Sequence, residues 1–533
     1  MPLHSTESYP QLTDRSELLE RLAFVGQVDL AIIGGGATGL GLALDASLRG
    51  LSVVLLEAED FAKGTSSRAT KLAHGGVRYL AQGDIGLVKE ALQERRHILR
   101  NAPHLASEIA FVMPSYTCWQ TPFYGLGLKV YDRLAGKYGL QPTQFLNSAQ
   151  VKQRLPGVQP EALKGGVCYW DGQFNDARLA LTLARTAAAQ GALLVNYCKV
   201  TQLQYHHGRL NGVTISDKET QQEFSLRAKA VVNATGVWVD DIRALDHKAN
   251  QMPHQPLVSA SQGVHVVVDA EFLPGDHALL IPKTRDGRVL FAVPWLGKVV
   301  LGTTDTPRSD HPAEPLAYAH EIEFILSEAA QVLARPPRRE DVRSVWVGLR
   351  PLVTPNRSTA GRTSSISREH TIEVSHSGLV TVTGGKWTTY RVMAEDVLAQ
   401  MTRHGLLGPL PASQTRSFPL LGAPVEKHAR IVDAPGLSAY GSEAAMVQKL
   451  AKPGDTDLTP GLSPAMVRYA VRYEYARTVE DVLARRSRLL FLDAAKAAQV
   501  ASQVDALLRE EGIAHTKYDD FMALAKQYQL AST

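Results

Sequence analysis

Apolar and polar positions along residues 28–60, "VDLAIIGGGATGLGLALDASLRGLSVVLLEAED", change period three times. Leu30 to Ile33 form a short β-branched run followed at once by glycine, which predicts a strand buried on both faces of a parallel sheet. Residues 37–49 repeat at helical spacing, Gly50 stops them, and "LSVVLLE" predicts a second buried strand ending at Glu57. The same texture returns in "ARLALTLARTAAAQGALLVNYCKV", a helix capped by Asp176 with a strand after Gly191, and in "AKAVVNATGVWVDDI", a strand ending in a glycine turn. A different rhythm runs through "QGVHVVVDAEF" and "HALLIPKTRDGRVLFAVPWLGKVVLGTTDT", where short apolar strands alternate with turn residues such as Asp286-Gly287, as in an antiparallel sheet. "SHSGLVTVTGGKWTTYRVMAEDVLAQM" resumes strand, glycine turn and helix, and beyond a Pro-rich crossing near 408–424 the pattern is helical.

The fold class read from these periods is α/β. A discontinuous Rossmann-like nucleotide-binding domain spans 1–90, 165–245 and 345–402. An inserted antiparallel-sheet substrate domain spans 91–164 and 246–344, and an all-helical C-terminal domain spans 403–533.

Gly34, Gly36 and Gly39 give G-x-G-x-x-G directly after the first strand. The first glycine permits the tight turn, the second lets backbone approach a pyrophosphate, and the third lets helix pack closely on strand. The helix start then offers free N–H groups and the positive end of its dipole to the phosphates. Glu57, at the end of the second strand, can accept both hydroxyls of a ribose, which selects an unphosphorylated adenosine ribose, as in NAD or FAD, over NADP.

A length of 533 residues calls for two or three domains, and 21% charged with 44% hydrophobic residues is a globular composition. The net charge of +4 demands no nucleic acid, yet tolerates an acidic substrate or an anionic membrane surface. Cys118, Cys168 and Cys198 are few, odd in number and far apart, so neither a disulfide framework nor a zinc site is expected, and no metal is. The first 27 residues lack the basic and apolar regions of a signal peptide, and no apolar run approaches the roughly 18 residues of a spanning helix. The expectation is a cytoplasmic protein or one peripheral to a membrane.

The segment "GTSSRATKLAHGGVRYL", residues 64–80, is dense in Ser, Thr and Gly without apolar period, as in a loop held to something polar. Together with "GGGATGLG", "VNATGVW", "LGTTDT", "GLRPL", "TGGKWTTYR" and the C-terminal "YAVRYEYARTVEDVLARRSRLLFLDA", it resembles the FAD-dependent, quinone-linked glycerol-3-phosphate dehydrogenase family. The resemblance implies a glycine-oxidase-like FAD-binding core with an added helical domain. It further implies FAD as cofactor, oxidation of sn-glycerol 3-phosphate to dihydroxyacetone phosphate by hydride transfer from carbon 2, and electrons passed to a membrane quinone at the inner face of the cytoplasmic membrane. A homodimer is compatible with it. Glycerol-3-phosphate oxidase shares most of these motifs and uses oxygen, and amino-acid or hydroxyacid oxidases share the fold; the absence of a long insertion in the substrate domain favours the dehydrogenase. A non-catalytic nucleotide-binding protein is the remaining alternative.

His265 lies in an alternating strand, where a lone histidine is usually structural; by the resemblance it is the active-site histidine, with base and hydroxyl-orienting donor both open. Arg350 is implied to face the substrate beside the flavin, its fixed charge stabilising a developing alkoxide and reduced flavin. Arg78, Tyr79, Arg368 and Lys386 form a set suited to a phosphate dianion. The cofactor contacts implied are Gly34, Gly36, Gly39, Glu57, Thr65, Ser66, Ser67, Lys71, Leu72, His74, Ala234, Asp305 and the turn Gly385, Lys386, Trp387, Thr388. Asp305 reads equally well as a turn-forming aspartate. Ala37-Thr38 and Trp387 depart from the family pattern without disturbing this logic.

For the membrane, "CWQTPFYGLGLKVYDRLAGKYGL", residues 118–140, is the candidate face. If 123–137 is helical, Phe123, Tyr124, Leu126, Leu128, Val130, Tyr131 and Leu134 share one broad arc, with Lys129, Asp132 and Arg133 opposite and Lys137 at the margin.

Overall fold

The computed structural model describes residues 13–76, 84–250, 255–353, 370–423 and 430–530. Gln27–Ile33 lies at the centre of an eight-stranded sheet, parallel to Val53–Leu56 on one side and to Glu223–Asn233 on the other. Leu193–Val195 and Leu379–Gly384 extend it in parallel, while His370–Val374 and the meander Cys198–His206, Arg209–Asp217 add antiparallel edges. The run Leu30 to Ile33 is buried on both faces, as its unbroken apolar character requires. Helices Ala37–Leu48, Asp176–Ala189 and Tyr390–Arg403 pack together over this sheet.

The second sheet has ten strands and is antiparallel except where Ala278–Ile281 runs parallel to Ala106–Ser115. Its membership moves the domain boundaries expected from sequence. Leu72–Ala73, Gly165–Phe174 and Ser344–Val353, assigned above to the nucleotide domain, belong to this sheet. Gly165–Phe174 pairs along its whole length with Ala106–Ser115, and Ser344–Val353 pairs with Val258–Asp269. Long-range ladders assign a strand to its sheet, and an apolar run is the same in either. A smaller correction concerns Asp176: Asn175 is the helix cap, accepting from Arg178 N, while the Asp176 carboxylate is fully buried in an ionic cluster.

The C-terminal region is helical, as expected, with Pro464–Tyr473, Ala494–Glu510 and Tyr518–Tyr528 around Val467, Leu483, Val504 and Phe521. Its core continues into Val267, Trp295 and Trp346 of the second sheet. Arg485 and Arg486 both pair with buried Asp60, and Arg488 pairs with Asp176. The helical domain is thereby bolted to the segment that follows Glu57.

Gln120–Ala135 is a helix, but the single apolar arc expected there divides. Leu128 and Tyr131 are buried inward, and the Tyr131 hydroxyl donates to Asp171. Trp119, Phe123, Leu126 and Val130 stand exposed, Leu126 at 67%. Among the described residues no helix is long and apolar enough to cross a membrane, and no His, Cys, Asp and Glu group could hold a metal.

Candidate active site

The first strand turns into its helix through Gly34 at φ +110°, where a side chain would lie 2.6 Å from the Ala234 carbonyl oxygen. A Cβ on Gly39 would stand 2.0 Å from the Gly34 oxygen, so this glycine sets how closely helix and turn approach rather than lining a site. At the strand end, the Glu57 carboxylate accepts Gly35 N at 2.6 Å and Glu59 N at 2.8 Å. Burial, reinforced by the charges of Glu59 and Asp60, pushes its carboxyl up to about 7 against those two donors. Gly34, Gly36 and Glu57 open onto a cleft of about 850 Å³, within the roughly 300–1,000 Å³ of small-molecule and cofactor sites.

Thr65, Ser66 and Leu72 form one wall of this cleft, and His74 lies farther along it. Ser66 Oγ accepts Ala37 N at 2.9 Å, and its carbonyl accepts the Trp387 indole N–H at 2.8 Å. The loop after Glu57 is thus fastened both to the fingerprint helix and to the turn Gly385 to Thr388, which also lines the cleft. Ala234 lines it as well. These residues fit a dinucleotide: a glycine turn that side chains would fill, a helix start with no side-chain cap at Gly36, a carboxylate at the second strand, and a cleft long enough to continue to chemically active groups.

Those groups are His265 and Arg350, carried by adjacent strands of the second sheet. His265 stacks on Trp346 at 4.0 Å between ring centroids, and its Nε2 lies 3.0 Å from Thr70 Oγ1. Burial, then the charges of Lys71 and Arg350, holds its pKa well below the usual value, so the ring is neutral near pH 7. Arg350 donates to the Thr304 carbonyl at 3.0 Å and to Thr303 Oγ1 at 3.2 Å, with Asp305 at 3.5 Å. Glycines make room for both side chains. A Cβ on Gly302 would meet His265 Cδ2 at 2.6 Å, and one on Gly263 would meet Arg350 Nη2 at 2.3 Å.

Besides Gly39, three residues expected at the cofactor lie off the cleft. The Lys71 side chain enters the protein interior, donating to Asp176 at 2.7 Å and to the Ser67 carbonyl at 2.8 Å beneath Trp346. Ser67 is buried behind the same loop. Asp305 accepts from Ser261 Oγ and backs Arg350. Successive residues of an irregular loop point in different directions, which composition does not reveal. Arg78, Tyr79 and Arg368 lie outside the described residues. Conversely, Arg68 and Thr70 line the cleft, and Trp346 supports His265 from behind. The first two carried the signal of their Ser/Thr-rich loop; Trp346, in an apolar strand, carried none.

The family model for FAD dependent oxidoreductases matches residues 29–391, and that for the C-terminal domain of alpha-glycerophosphate oxidase matches 413–513. The mitochondrial glycerol-3-phosphate dehydrogenase of Schizosaccharomyces pombe is 38% identical, covering 95% of this chain and 87% of that protein. The one from Homo sapiens is 40% identical over 97% of this chain and 74% of its own length. The glycerol-3-phosphate dehydrogenase from Bacillus halodurans, solved with FAD, superposes with a TM-score of 0.76 over 98% of this chain and 99% of that one, at 28% identity. The L-alpha-glycerophosphate oxidase of Mycoplasma pneumoniae, 17% identical with a TM-score of 0.55 over 73% of this chain and 97% of that one, shares the fold. With a dinucleotide cleft that ends at a buried histidine and an arginine, and with relatives matching nearly its whole length, this chain belongs to the FAD-dependent glycerol-3-phosphate dehydrogenase family, and FAD is its cofactor.

Proposed function

We propose that the protein oxidises sn-glycerol 3-phosphate to dihydroxyacetone phosphate and delivers the electrons to a membrane quinone. The observation that carries the first half is neutral His265 beside cationic Arg350 at one end of the flavin cleft. Bound FAD supplies the acceptor for the hydride of carbon 2. A neutral Nε2 lone pair can take the carbon-2 hydroxyl proton, or orient that hydroxyl, and the Arg350 guanidinium stabilises the alkoxide character that develops as the hydride leaves. Lys386, which lines the cleft, together with Arg78, Tyr79 and Arg368, is the proposed clamp for the phosphate dianion.

The quinone reading draws on the exposed face Trp119, Phe123, Leu126 and Val130, flanked by Lys129, Arg133 and Lys137. Apolar and aromatic side chains at acyl and headgroup depth, with cations beside anionic lipid, suit peripheral attachment to the inner face of the cytoplasmic membrane. Oxygen as acceptor is the second reading, favoured by the match of residues 413–513 to an oxidase C-terminal domain.

Anaerobic addition of glycerol 3-phosphate should bleach the flavin, whereas glycerol or glycine should not. Reoxidation of the bleached enzyme should be faster with a quinone analogue than with oxygen; the reverse order selects the oxidase. Leu126→Asp/Val130→Asp should lose vesicle co-sedimentation while retaining activity with a soluble acceptor. Unchanged vesicle binding by the folded double variant would remove this helix as the attachment site.

A further inference from the structure

Thr70 is the one polar side chain shown within hydrogen-bond distance of His265 Nε2 among the described residues, at 3.0 Å, and it opens onto the same cleft. Its placement is over-determined by what surrounds it. On one side Ala69 N donates to Asp176 Oδ2 at 3.1 Å; on the other, Lys71 Nζ donates to the same oxygen at 2.7 Å. Arg488, reaching in from the helical domain, donates to the Ser67 carbonyl at 2.7 Å and to Asp176 Oδ1 at 3.1 Å. The side chains of Lys71, Asp176 and Arg488 are fully buried. Lys71 itself adopts φ +67°, the left-handed conformation that reverses the chain, so its side chain goes inward while Thr70 faces the cleft. The result is a hydroxyl held rigidly at the edge of an imidazole whose flat face rests on Trp346.

We propose that Thr70 is a positioning residue for the reaction, holding His265 through Nε2 at the cleft in the free enzyme and yielding that nitrogen to the carbon-2 hydroxyl when substrate enters, with Lys71, Asp176 and Arg488 fixing Thr70 in turn. The inference rests on the substrate oxidation proposed above. Stacking on Trp346 holds the plane of the ring, and the hydrogen bond at Nε2 fixes how that nitrogen is presented to the cleft. A threonine hydroxyl suits the task because it carries one donor and two acceptor sites and turns to meet either state of the nitrogen, or the incoming alcohol. Valine keeps the shape and deletes the hydroxyl; serine keeps the hydroxyl and deletes the methyl.

The test is Thr70→Val against Thr70→Ser in FAD-loaded protein, read by anaerobic flavin reduction over a range of glycerol 3-phosphate concentrations. Loss of one aligned hydrogen bond should lower the limiting reduction rate of Thr70→Val about tenfold, with the half-saturating concentration held within threefold. Thr70→Ser should recover to within threefold of the parent. A nitrogen-15 NMR shift of His265 Nε2 should move in Thr70→Val with no substrate present. Parental reduction rates in Thr70→Val, a serine variant as slow as the valine one, an unmoved Nε2 resonance, or loss of FAD and melting stability in both variants would each overturn the proposal. Failure of the substrate reading shows separately, in a parent protein that glycerol 3-phosphate does not bleach, and the resonance comparison still decides the Thr70 contact.

Discussion

Gly263→Ala offers a way to disturb Arg350 without touching it. The added methyl would sit 2.3 Å from Nη2 and 2.8 Å from Cζ of Arg350, and 2.6 Å from Thr303 Oγ1. Non-bonded heavy atoms settle at about 3.5 Å, so the guanidinium must withdraw by about 1.2 Å. It can do so at modest cost, because the atom struck is the far end of a flexible side chain that is partly exposed. Overpacking should therefore lower stability by about 1–3 kcal/mol, leaving the fold intact. The catalytic loss should be larger than the stability loss implies, since a misplacement of about 1 Å can cost about a hundredfold in rate. Anaerobic flavin reduction at saturating glycerol 3-phosphate should slow by about ten- to a hundredfold, with flavin content unchanged. Because the methyl acts through Arg350, Gly263→Ala/Arg350→Ala should be no slower than Arg350→Ala alone. A reduction rate within threefold of the parent, or single effects that simply add in the double variant, would refute the placement of Arg350 at the reacting atoms.

Arg350→Ala itself should reduce the flavin at least about tenfold more slowly at saturating substrate, the loss of one charge-assisted contact, and near-parental reduction would remove it from the catalytic set. Glu57 sets a pH dependence on cofactor retention: its carboxyl is raised to about 7 in the free site, while ribose hydroxyls need the carboxylate as acceptor. FAD affinity should hold above pH 7 and fall by up to about tenfold per unit below it, and equilibrium dialysis of Glu57→Gln should show weaker binding without that slope. Asp60→Asn should destabilise the protein by about 3–5 kcal/mol in denaturant titration, because it strands Arg486 as a buried, unneutralised charge and leaves Arg485 only Glu480 and Asp481; a loss below about 1 kcal/mol would show that the bolt between the domains is dispensable.

What the sequence by itself determined is whatever one stretch of chain decides locally. A strand that must be apolar on both faces, a turn that must be glycine, a helix start that must offer its N–H groups and an acid at the next strand end are neighbours in the chain. Gly34, Gly36, Gly39 and Glu57 were therefore legible at once as a turn, a helix start and an acid, and the structure has Gly34, Gly36 and Glu57 lining one cleft with Gly39 at the contact of helix and turn. His265 was legible as a strand residue and Arg350 as an arginine between an apolar strand and a proline, and only the family resemblance proposed them together; their convergence needs two strands separated by some 80 residues to pair in register. The tertiary structure alone decided the rest, because pairing and burial are properties of distant segments. It transferred Gly165–Phe174 and Ser344–Val353 to the second sheet, whose ladders they complete. It turned Lys71 and Ser67 inward and Thr70 outward within a single loop, since a buried Asp176 and an arginine more than 400 residues away claim the donors and carbonyls on one side of it. It also split the apolar arc of Gln120–Ala135, because Tyr131 finds a buried carboxylate at Asp171 while Phe123 and Leu126 find only the surface. A side chain's period along the chain says which face it shares, and only the packed molecule says what that face meets.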